Sequence, residues 1–75
     1  GPYSDHLRRH LLNLQDHEEL QAAMVNILAS KDPVAIGTSE AFKLRSMGLV
    51  KFQGNAVKPL CNLYREYFCE RLGVN

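Results

Sequence analysis

The chain has 75 residues, 45% hydrophobic and 23% charged, with nine Lys or Arg against eight Asp or Glu and a formal charge of +1. That length holds one small domain with little stability to spare, and the apolar content excludes a disordered chain. No apolar run approaches the roughly 20 residues that cross a bilayer, and the near-balance of charge gives no broad basic footprint for nucleic acid. The expectation is a soluble, cytoplasmic domain that acts through its surface and has no membrane partner.

The opening Gly1-Pro2 reads as the scar left by removal of a purification tag, so residues 3–75 form the single domain. Tyr3 without an initiator Met marks that domain as a piece excised from a longer protein. Cap-type Ser4 and Asp5 precede Leu7, Leu11 and Leu14 at i, i+4 and i+7, which predicts an amphipathic helix over 5–15. Asp16 with Glu19 three residues on resembles a capping box. Leu20, Ala23, Met24, Ile27 and Leu28 then form the buried stripe of a second helix over 17–30, and Pro33 ends it by disfavouring helical geometry at Asp32.

The run "VAI", residues 34–36, is a weak candidate for one more strand, beside the hairpin of residues 50–59. Thr38 or Ser39 caps a third helix running to about Met47, with Ala41, Phe42 and Leu44 or Arg45 on its inner side. Gly48 occupies the place of a left-handed C-terminal cap, followed by the apolar contact residue Leu49.

"VKFQ", Gly54-Asn55 and "AVKP" predict a β-hairpin on a two-residue primed turn, because Gly and Asn both tolerate positive φ. The turn sets the register: Gln53 opposite Ala56, Phe52 opposite Val57, Lys51 opposite Lys58, Val50 opposite Pro59. Phe52, Val57, Val50 and Pro59 then face inward, and Lys51 and Lys58 emerge side by side on the outer face, a mildly unfavourable like-charge pair that an anion would relieve.

A fourth helix follows Pro59, spaced on Leu63, Tyr67 or Phe68 and Leu72 and stopped by Gly73. Tyr64, Tyr67 and Phe68 read mainly as core packing with one tyrosine hydroxyl near the surface. Cys61 and Cys69, eight apart on that helix, are separated by roughly 12 Å, too far for a disulfide, and read as reduced thiols with at least one packed as a small hydrophobe. The order of elements is helix, helix, weak strand, helix, β-hairpin, helix: an α+β fold, the small winged helix. Leu11, Ile27, Phe42, Leu49, Val57 and Phe68 are expected in one core.

The stretch "AFKLRSMGLVKFQGNAVKPLCNLYREYF", residues 41–68, resembles the segment that closes the AAA-like ATPase domain of cyanobacterial signalling proteins. More broadly it is similar to the winged-helix appendage behind the nucleotide-binding core of prokaryotic AAA and STAND-type ATPases. Leu44, Gly48, Leu49, Val50, Gly54, Pro59, Tyr64, Arg65, Tyr67 and Phe68 carry the resemblance. It implies a regulatory or assembly module of a signalling ATPase. The chain has no G-x-x-x-x-G-K-[ST] phosphate loop, so it is not expected to be an enzyme by itself or to hold a nucleotide cofactor. Some relatives place a winged-helix histidine near the nucleotide; His6, His10 and His17 lie outside the resembling stretch and inherit no such role.

His6 and His10, at i and i+4, share a helical face as a two-histidine metal site would require, but a metal needs more ligands, and solvent-facing or capping histidines are the expectation. No nucleophile–base arrangement emerges from spacing. The candidate interaction surface is Lys43, Arg45, Lys51, Gln53 and Lys58. Its expected partners are other domains of the parent protein or a separate protein. The alternative is DNA binding through helix 38–47 and the 50–59 wing, which ranks second because Glu40 in the first turn of that helix would oppose phosphate.

Overall fold

The structure, a computed structural model, describes the backbone of residues 2–74 and the side chains of residues 5–74. Gly1, half of the proposed tag scar, lies outside the described residues, as does the side chain of Ser4. Four helices and one hairpin follow one another as α1 (Pro2–Gln15), α2 (Glu18–Ala29), α3 (Thr38–Ser46), β1 (Val50–Gln53), β2 (Ala56–Pro59) and α4 (Asn62–Leu72). This is the expected winged-helix-like α+β order.

Helix starts are where the sequence misleads. α1 begins at Pro2, ahead of the expected Asp5, because a proline loses nothing in a first turn whose N–H groups have no helical acceptor. α2 is not capped by Asp16. The Asp16 N–H still donates to Leu12 O at 3.1 Å as the tail of α1, and His17 takes the extended N-cap position with no side-chain cap bond. Gly37, not Thr38 or Ser39, stands at the N-cap of α3, and the Glu40 carboxylate folds back to 2.6 Å from where a Cβ on Gly37 would sit. At the other end of α3 the stop signal works as read. Gly48 adopts φ +78°, its N–H donates to Arg45 O at 3.0 Å, and the Leu49 N–H donates to Leu44 O at 3.1 Å, the paired bonds of a Schellman motif.

The hairpin has the expected register, Val50↔Pro59, Lys51↔Lys58, Phe52↔Val57 and Gln53↔Ala56. Of the two turn residues only Gly54 takes positive φ, at +63°; Asn55 does not, the signature of a type II′ turn. The expected strand over 34–36 shrinks to one antiparallel bridge. Val34 N–H donates to Val57 O at 2.9 Å and Val57 N–H to Val34 O at 2.8 Å, tying the α2–α3 connection to the free edge of β2.

One core gathers residues from every element: Leu7 and Leu14, Leu20, Met24, Ile27 and Leu28, Ala41 and Leu44, Leu49 and Val50, Val57, and Phe68. α2 is its axis, packing on α1, α3, α4 and β2. Not every expected core residue is inside. Phe42 is 59% exposed, Phe52 41% and Leu63 50%, and Leu11 and Ala23 are only partly buried. Phe42 lies about 100° round the helix from Ala41 and about 160° from Leu44, so a core that takes Ala41 and Leu44 turns Phe42 to water. Phe52 is on the inward side of its strand, but it lies beyond the base of the hairpin, past the reach of so small a core.

Cys61 is the exposed N-cap of α4, outside the helix, and Cys69 packs against the core; both are free thiols. Tyr64 and Tyr67 stand edge-on to Phe68 at 6.2 and 5.1 Å, and the Arg71 guanidinium lies 5.3 Å over the Tyr67 ring. No helix among the described residues is long and apolar enough to cross a membrane.

Candidate interaction surfaces

Neighbouring residues of a strand point to opposite faces, and the wing uses this to divide the molecule's surface in two. On one face Lys51 and Lys58 sit cross-strand from one another. Lys31, after α2, and Arg65, from α4, join them around a small cavity of about 170 Å³ whose remaining wall is the entry to α4, including Leu60 and Asn62. Arg65 is pinned by its Nη1, which donates at 3.2 Å to the carbonyls of both Leu28 and Ser30 at the C-terminal end of α2. A guanidinium there satisfies carbonyls that have no helical donor and complements the negative pole of the helix. The first turn of α4 contains no acidic residue. Among the described residues no ion pair joins any of these four cations to a carboxylate. The arrangement presents concentrated positive charge over a patch a few residues wide.

The opposite face of the wing carries Phe52, whose ring meets Phe42 of α3 edge-on at 5.7 Å and 71°. Beside this pair a groove of about 730 Å³ opens between the α1–α2 turn and α3. Leu20 and Met47 lie beneath it, and Asp16, Glu18, Glu19 and Glu40 stand along it.

The five candidate surface residues therefore do not form one site. Lys51 and Lys58 come together as read. Lys43 lines the acidic, aromatic groove on the other side, and Arg45 and Gln53 are exposed and line neither concavity. Lys31 and Arg65 were missed: they are far apart in sequence, and only the docking of α4 against the end of α2 brings them beside the wing. The groove was missed because Phe42 and Phe52 were assigned to the core.

The histidines serve helix ends and helix faces. His17 Nδ1–H donates to Asn13 O at 2.8 Å, and the His6 and His10 rings stack at 6.1 Å. Among the described residues His10 Nδ1 is buried without a partner, and burial, then the neighbouring charges of His6 and Arg9, lower its pKa below the ordinary 6.5. Among the described residues no three His, Cys, Asp or Glu side chains converge as metal ligands would.

The model of a protein family described as the AAA-like domain matches residues 1–70, nearly the whole chain. The chain belongs to the AAA-like domain family. No curated protein and no solved structure matches it. This membership associates the domain with AAA-like ATPases and extends the likeness beyond residues 41–68 to include both N-terminal helices.

Proposed function

We propose that this AAA-like domain is a non-catalytic, regulatory protein-docking module of a STAND-type signalling ATPase of the kind found in cyanobacteria, and that its wing lysines meet a carboxylate surface on a neighbouring domain or partner protein. The observation that carries the reading is the cluster of Lys31, Lys51, Lys58 and Arg65, which has no carboxylate partner among the described residues and is set on the wing face away from α3. A winged helix that reads DNA needs its third helix and its wing to present cations to one duplex. Here α3 offers Phe42 and the half-buried Glu40 beside Arg45, and its Lys43 stands among four carboxylates. A compact cationic patch on the side of the wing away from α3, with a carboxylate in the first turn of that helix, suits a protein carboxylate cluster better than a phosphate backbone. The lack of a phosphate loop in the sequence supports the non-catalytic reading.

The test is a pair of titrations on the wild type and on the Lys51→Glu, Lys58→Glu double variant. A Glu-rich peptide should shift the amide signals of Lys31, Lys51 and Lys58 in the wild type and leave the variant unmoved. Labelled duplex DNA should bind no tighter than the weak non-specific range of about 10⁻⁴ M at physiological salt. Micromolar, salt-sensitive duplex binding that the double variant abolishes would make this a DNA-binding module instead.

A further inference from the structure

The wing lysines leave the groove between the α1–α2 turn and α3 unexplained. Phe42 and Phe52 are 59% and 41% exposed and touch one another edge-on, and Phe42 lines a groove of about 730 Å³, within the roughly 300–1,000 Å³ range of clefts that hold ligands. A domain this small gains little in stability from two phenylalanines largely in water, and exposed aromatic rings gathered at one place mark a contact surface. Buried Leu20 and half-buried Met47 continue the apolar strip from the rings into the groove.

The charges along the strip decide what fits. Asp16, Glu18, Glu19 and Glu40 line it against a single Lys43, and among the described residues none of the four carboxylates is ion-paired. Glu18, Glu19 and Glu40 sit in the first turns of α2 and α3, where they also offset the helix dipoles. That accounts for their position on the helices but not for the aromatic pair beside them. An occupant must supply apolar side chains for Phe42, Phe52 and Met47, and cations for the carboxylates. An anionic or phosphorylated segment is repelled, and an uncharged apolar one leaves the carboxylates to be desolvated without partners.

We infer that this groove is a second docking site, for a cationic amphipathic segment of a protein partner, with apolar residues against Phe42, Phe52 and Met47 and Lys or Arg against Glu18, Glu19 and Glu40. It deepens the reading of the domain as a docking module and places a separate partner on the face opposite the wing lysines.

The probe is an amphipathic Leu/Lys helical peptide, with a Leu/Glu peptide of the same pattern as its counterpart, titrated into the isotope-labelled chain and followed by backbone amide shifts. The expected result is binding of the Leu/Lys peptide, with shifts at residues 16–20, 40–43, 47 and 52, weakening as salt is raised, and none of this with the Leu/Glu peptide. Phe42→Ser, or Glu18→Gln with Glu19→Gln, should weaken the Leu/Lys peptide at least about tenfold. All three substitutions are at exposed positions, and the amide spectrum reports directly that each variant is folded. The Lys51→Glu, Lys58→Glu variant should bind it undiminished. Equal affinity for the two peptides, shifts centred on Leu60 and the wing lysines, or no shifts in a folded spectrum would each overturn the assignment. None of these outcomes touches the response of the wing lysines to a Glu-rich peptide, which stands or falls separately.

Discussion

Phe42 and Phe68 carry the same side chain and have opposite fates in this fold. Phe68 is fully buried between Tyr64 and Tyr67, and its replacement by Ala should remove about 3–5 kcal/mol, most of the stability available to a domain of this size. Phe42→Ala should remove only its edge-on contact with Phe52, about 0.5–1.5 kcal/mol. Urea midpoints at unchanged slope would check both, and a loss at Phe42 as large as at Phe68 would return that ring to the core. His10 adds a dependence on pH. Its pKa is depressed by burial, then by His6 and Arg9, so folding favours the neutral ring and the unfolded chain binds the proton more readily. The stability this residue contributes is present above the ordinary value near 6.5 and is lost as the pH falls through the lower folded value. A Tm series from pH 7.5 to 5 should therefore decline on the acid side. The decline should be shallower in His10→Gln; an unchanged slope would remove His10 as its source.

Among the elements, α2 depends most on a distant residue. Arg65 closes its C-terminal end through two carbonyls, and truncation of that side chain strands both acceptors. Arg65→Met should cost about 1–3 kcal/mol and raise hydrogen exchange at residues 27–30 selectively; Arg65→Lys should recover little, since one ammonium does not reproduce the fixed fork of the guanidinium. Uniform exchange along α2 would show that the bond is incidental. Elements whose cause is local were legible in the sequence: the Gly48 stop, the Gly54-Asn55 turn and the wing register each follow from backbone preferences within a few residues. Cap positions were not, because a competing bond from the preceding helix decided them, as when the Asp16 N–H stayed with Leu12 O. The run 34–36 was legible as an addition beside the hairpin, but not that only Val34 would pair, or that its partner would be Val57, a contact across more than twenty residues.

At the scale of the whole molecule, one core shared by four helices and the hairpin implies a single cooperative unit. Far-ultraviolet and near-ultraviolet circular dichroism should therefore give coincident thermal transitions, and a hairpin signal lost ahead of the helices would show that the wing folds separately. The sequence by itself determined the kind of fold and the wing: hydrophobic spacing, glycine stops and the two-residue turn are local, and each leaves a signature along the chain. Tertiary structure alone decided the surfaces. Packing chose Ala41 and Leu44 over Phe42 for the inner side of α3, and docking of α4 on the end of α2 carried Lys31 and Arg65 to the wing. Strand alternation then set those cations on the face opposite the aromatic, acidic groove. A surface is made of residues that are neighbours in space and strangers in sequence, and no periodicity along the chain records which of them the core will leave outside.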